Sequence, residues 1–229
     1  MHPVQSGSPL IMIQFPIFTF VDLTQVRRRE TLDRRIGRFL REDENPFPPH
    51  YALIRKGIRK FCSTGFDPAI LDDMHEHVIT SVTASEFTKK DKPNCLQAIE
   101  LMRSMLIPDF KGVSFGKGEK IDLHLGGIVI RVVTDATLSW VDANGIRYIG
   151  AIKAKVKKSP FPREASEMTS CLVAQALKAK YPDAIVDPLH CFCFDVFRQR
   201  LIPTSNMSRN LEVAKEIAER IASMGDLAA

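Results

Sequence analysis

The sequence predicts a mixed α/β protein, in which a basic helical N-terminal region precedes a core of one mixed sheet flanked by helices. Three observations point there. Between Ile128 and Lys158 two apolar strands flank an Asn144-Gly145 turn, which is a hairpin signal. Glu164–Tyr181 follows with helical periodicity, and a dense apolar run, Leu189–Phe197, follows that. Strands and helices therefore interleave in the second half of the chain, whereas the first half carries mainly helical patterns.

The composition fits a globular protein. The 229 residues suffice for one sizeable core, or for one domain with a smaller helical appendage. Hydrophobic residues make up 45% and charged residues 26%. The net charge of +5 and a pI near 9.0 are compatible with a nucleic-acid partner. Five cysteines without a Cys-x-x-Cys pair read as reduced, buried thiols in a reducing, cytoplasmic compartment. A zinc site from His190, Cys191 and Cys193 lacks a fourth ligand. The N-terminal apolar run is broken by Pro16 and has no basic flank, so it predicts neither a signal peptide nor a membrane span.

Taken in order, residues 1–9 read as a tail and Ile11–Phe20 as an apolar strand or packing arm. Thr24–Arg41 reads as a helix with Leu32, Ile36, Phe39 and Leu40 inward. Seven arginines surround that stripe: Arg27, Arg28, Arg29, Arg34, Arg35, Arg38 and Arg41. Guanidinium forks suit phosphate oxygens, so this face would lie along a nucleic-acid backbone. The alternative is a solvated face paired with Glu30, Asp33 and Glu42. Asn45-Pro46-Phe47-Pro48-Pro49 breaks the chain. A second helix, Tyr51–Cys62, carries Arg55, Lys56, Arg59 and Lys60. Asp67 caps a third, Pro68–Val78. His75 and His77 in that helix are two apart and face different ways, so the acid–histidine cluster there reads as a polar helix end.

Glu86–Asn94 reads as a polar connection and sets a boundary, with residues 1–85 as tail and basic helical region and 86–229 as the α/β core with a C-terminal helix. The core opens with a helix at Cys95–Leu106 and short strands at Val113–Phe115 and Lys120–Leu125. The hairpin strands Ile128–Val141 and Ile146–Lys158 come next, then the helix Glu164–Tyr181 and the strand Leu189–Phe197. A return strand at Leu201–Pro203 and a helix at Asn206–Ser223 complete it.

The chemistry concentrates in the hairpin. Residues two apart on a strand share a face. Val129, Arg131, Val133 and Asp135 would then share one face, and Ile149, Ala151, Lys153 and Lys155 another. An acid late in one strand and a lysine in the next, followed by a helix, resemble the core of the PD-(D/E)XK, or restriction-endonuclease-like, nuclease superfamily over roughly residues 95–205. The resemblance implies an αβββαβ core and Mg2+- or Mn2+-dependent cleavage of nucleic acid, DNA first. Asp135 matches the family's first acid and Lys153 its lysine. The second acid position falls on Ala151, which cannot hold a metal.

Two readings follow from the resemblance. In one, the acid has migrated to the next helix. Asp135 and Glu167 would bind metal with Glu164 or Glu100 in support, and Lys153 would position water or phosphate. Gln175 would match the helix glutamine of the exonuclease branch. Arg27, Arg28, Arg34, Arg35, Arg38 and Lys155 would hold the nucleic-acid backbone. In the other, the acid is lost. Asp135 and Lys153 then form an ion pair in a silent nucleic-acid-binding or protein-interaction module. An exposed edge strand or the apolar arm would support a homodimer. No phosphate-binding glycine loop, Gly-x-Ser-x-Gly elbow or paired metal histidines point to another enzyme class.

Overall fold

The computed structural model describes residues 13–41, 51–82, 86–159 and 161–226. The expected tail at residues 1–9 and the proline-rich break at 45–49 lie outside them. The protein is mixed α/β, with an N-terminal helical region followed by mixed sheets packed against helices. No helix among the described residues is long and apolar enough to cross a membrane.

The N-terminal region differs in detail from expectation. The apolar arm is a short strand, β1 (Gln14–Pro16), running straight into helix α1 (Ile17–Thr24). The arginine-rich helix α2 starts only at Arg29 and runs to Arg41. Helices α3 (Ala52–Ser63) and α4 (Ala69–Thr80) fall where the periodicity predicts them. The Asp67 carboxylate accepts the Ala69 N–H at 3.0 Å, the expected capping contact.

The expected connection at Glu86–Asn94 is instead the first half of one long helix, α5 (Glu86–Arg103), with Pro93 inside it. Its polar residues have structural partners. The buried Asp91 accepts the Tyr51 N–H at the start of α3. Lys92 donates to the Ile79 carbonyl at 2.8 Å, at the end of α4. Tertiary contacts thus recruit a segment that composition alone reads as loop.

The core strands are β2 (Ser114–Lys117), β3 (Lys120–Leu125), β4 (Ile128–Val133), β5 (Ala136–Val141) and β6 (Arg147–Lys155). Helix α6 (Arg163–Lys180), strands β7 (Ile185–Asp195) and β8 (Arg200–Ile202), and helix α7 (Met207–Asp226) complete the chain. The single strand expected over Ile128–Val141 is broken at Thr134-Asp135. β4 pairs with β3 and β1 in a three-stranded sheet, whereas β5 pairs with β2 and β6 in a five-stranded sheet ordered β2-β5-β6-β7-β8. β2–β3 and β4–β5 therefore form one long hairpin, bent where Gly118 crosses Thr134. A Cβ on Gly118 would lie 2.1 Å from the Thr134 carbonyl oxygen, so only glycine allows the legs this close.

β6 and β7 run parallel, joined through α6, and make the centre of the larger sheet. Apolar residues line both faces of it. One cluster joins Ile149, Ala151 and Cys193 to α1, α6 and α7. The other joins Leu138, Ile152 and Phe194 to α3, α4 and α5. Both clusters mix residues from before and after residue 85, so the N-terminal helices share their core with the α/β region. All five cysteines are free and buried.

Candidate functional site

The break in the hairpin creates the site. At Ala136↔Ile152 the β5–β6 ladder reaches its last pair, and the chain upstream leaves for the other sheet. The Asp135 N–H still donates to the Ile152 carbonyl at 2.7 Å. Two residues further along β6 the Ala154 N–H has no β5 carbonyl opposite. The Asp135 carboxylate takes that place, with Oδ2 accepting the Ala154 N–H at 2.7 Å and Lys153 Nζ at 3.1 Å. Arg59 Nε of α3 stands 3.5 Å from Oδ1. The side chains of Asp135 and Lys153 are only 8% and 11% exposed, so each charge depends on the other.

Around this pair lies a pocket of about 180 Å3. Phe18 and Asp22 of α1, Arg55 and Arg59 of α3, Asp135, and the end of β6 from Lys153 onward form its walls. Arg55 and Arg59 are four apart and project from one side of α3. The ring of Phe18 lies 5.4 Å from Lys153 Nζ. Asp22 remains open to solvent at the mouth. Crowding by the protein nonetheless raises its carboxyl pKa, against the pull of Lys157, Lys155 and Arg35.

A second, larger hollow of about 700 Å3 opens on the other side of Arg59 and Asp135, which belong to both. Lys56 and Lys60, the next stripe of α3, line it, with Met74 and His77 of α4 and the bend of the hairpin at Lys117–Lys120. α3 thus turns Arg55 toward the smaller hollow and Lys56 and Lys60 toward the larger, with Arg59 and Asp135 between them.

The expected site residues divide clearly. Asp135 and Lys153 come together, although Asp135 lies in the break between β4 and β5 and not on the strand face expected for it. Lys155 shares their pocket but does not face out to hold a backbone. It is buried, its Nζ donates to the Lys157 and Ser159 carbonyls at 3.1 Å, and it lies 3.9 Å from the fully buried Asp195. Burial lowers its pKa more than Asp195 raises it. β6 is a central strand, so its lysines do not form a solvated edge.

Glu167 points elsewhere, where it pairs with Arg163 at 2.8 Å and accepts the Ser205 hydroxyl at 2.5 Å. Glu164 is exposed on the first turn of α6, and Glu100 pairs with Arg103 at 2.6 Å on α5. Gln175 is half-buried on α6. None of these four lines either hollow. Ala151 is fully buried in the apolar cluster that holds Met168 and Leu172, so no helix acid fills the place of the missing one. Arg27, Arg28, Arg34, Arg35 and Arg38 are exposed around α2, and Arg35 acts on Asp22 at the pocket mouth. Asp33 forms a bidentate pair with Arg220 of α7, both contacts 2.6 Å. The acid–histidine run of α4 serves ordinary pairs, Asp73 with Lys60 and Asp72 with Arg103.

Sequence reasoning missed Asp22 and left the role of Arg55 and Arg59 open. A signal for α1 was present, since Pro16 precedes Ile17, Phe20, Val21 and Thr24 at helical spacing. On that helix Asp22 lies one turn beyond Phe18.

A divalent ion such as Mg2+ or Mn2+ needs carboxylate oxygens turned toward it. Asp135 commits its oxygens to Lys153, Ala154 and Arg59, and among the described residues Asp22 is the one other acid that lines the pocket. Among the described residues no three His, Cys, Asp or Glu side chains assemble as a metal site. The residues present do not fit the ion that the nuclease resemblance implies. Neither a protein-family model nor a curated protein matches the chain.

Proposed function

We propose that the protein binds the phosphodiester backbone of a nucleic acid, DNA first, along the groove between α3 and the bent hairpin. One phosphate sits beside Arg59 and Lys153. The observation that carries this reading is the convergence of cations from four places on two adjoining hollows. These are Arg55, Lys56, Arg59 and Lys60 on α3, Lys117 and Lys120 on the hairpin, Lys153 on β6, and Lys157 beyond it. A row of cations facing one groove is the footprint of a polyanion. Asp135 fits this role as the counter-charge that holds Lys153 and Arg59 in place. The free, buried cysteines support a reducing compartment, the cytoplasm.

Fluorescence anisotropy with labelled single-stranded DNA, duplex DNA and RNA tests the reading. Lys117→Glu with Lys120→Glu, both exposed, should abolish or strongly weaken binding without unfolding the protein. Unchanged affinity would sink the proposal.

A further inference from the structure

We infer that the larger hollow receives the base of one unstacked nucleotide, so that the ligand is single-stranded or locally opened nucleic acid. The inference rests on the backbone-binding reading and adds the form of the strand. The hollow joins two characters. Its walls carry Leu53, Ile70, Met74 and Val133, and its rim carries Lys56, Lys117 and Lys120. Phosphates alone need no apolar wall, and an aliphatic ligand needs no ring of lysines. A nucleotide has an apolar base face and a charged phosphate on one unit.

Size and position agree. About 700 Å3 lies within the roughly 300–1,000 Å3 of pockets that enclose small organic groups. The hollow meets the phosphate pocket at Arg59 and Asp135, so a base in one and a phosphate in the other belong to a continuous strand. A closed duplex presents its backbone and keeps its base faces stacked, which would leave the apolar walls unused. The acids on the lining do not oppose the ligand. Asp73 pairs with Lys60, and Glu119 is engaged by Lys180 and Tyr181. Met74 lies against Gly57, where a Cβ would fall 2.2 Å from its Cγ. The wall on that side is thus a buried thioether packed on the α3 backbone, an apolar surface against which a base face can lie.

The test compares four ligands on the full chain: a single strand with 2-aminopurine at one position, the matching duplex, an abasic strand with the same phosphates, and a free nucleoside monophosphate. Single strand should bind on the order of tenfold tighter than duplex or abasic strand, with a change in 2-aminopurine emission. Leu53→Trp, which fills the hollow, should reduce single-strand affinity to the abasic level. Unchanged abasic binding in that variant shows that it is folded. Equal affinity for single strand, duplex and abasic strand, with Leu53→Trp silent, would overturn the base pocket and leave the backbone groove standing. Tight monophosphate binding without strand binding would also overturn it. Failure of every nucleic acid to bind would remove both proposals together.

Discussion

Asp135 is the residue on which the site turns, because its carboxylate does two jobs. It neutralises a buried lysine, and it ends a β-ladder by accepting the Ala154 N–H. Asp135→Ala should therefore unfold the protein more easily, by about 3–5 kcal/mol, since it strands Lys153 without a counter-charge. Adding Lys153→Met should recover most of that loss. A deficit of about 1–3 kcal/mol should remain for the orphaned Ala154 N–H. Urea titrations of the two single variants and the double variant measure this coupling, and additive losses would refute it. Asp22 behaves in the opposite way. Its folded pKa is raised above the ordinary value of 3.8, so the folded protein favours its neutral form. Stability falls as pH rises through the window between the two values, and the deficit persists above it. Asp22→Asn should be more stable than wild type at neutral pH, with the difference vanishing below the ordinary value. Melting curves across pH would detect a gap of the wrong sign.

At the scale of elements, the bend of the hairpin decides where those residues meet. Gly118→Ala would drive a Cβ to 2.1 Å from the Thr134 oxygen and 2.8 Å from the Asp135 carbonyl carbon. Backbone cannot yield as a side-chain tip does, so the two legs must part. A loss of about 1–3 kcal/mol is expected, together with weaker strand binding, because Asp135 shifts relative to α3. A binding curve unchanged beside a lowered urea midpoint would separate stability from the site. The order of acid, turn, lysine and helix singled out Asp135 and Lys153 in the sequence, although Asp135 lies outside the strand face expected for it, and periodicity located α3, α4, α6 and α7 closely. It did not reveal the bend, because the apolar pattern of Ile128–Val133 leads through Thr134 into Ala136–Val141 with no glycine or proline between. The signal lay on the partner leg, in Gly116-Lys117-Gly118. Glu86–Asn94 misled for a related reason, since its lysines and Asp91 look solvated until the ends of α3 and α4 arrive as partners. Glu167 could not be placed from spacing, because Ser205 comes from a loop far along the chain.

For the whole molecule, the question is whether placement of charge or its total governs partner choice. A net charge of +5 is modest, and exposed cations also lie on α7, outside both hollows. Two double variants separate the alternatives. Lys56→Glu with Lys60→Glu alters the groove, whereas Arg209→Glu with Lys215→Glu alters α7, and both pairs lower the net charge equally. If total charge steers binding, the two should weaken it alike. If the groove holds the phosphates, only the first should cut affinity sharply. Its plot of log affinity against log salt should also flatten by about one unit per lysine removed. The α7 variant should keep the wild-type slope, since counterions are released only where phosphates are contacted. Equal slopes in the two variants would mean that the strand does not lie along α3, and the groove would lose its role.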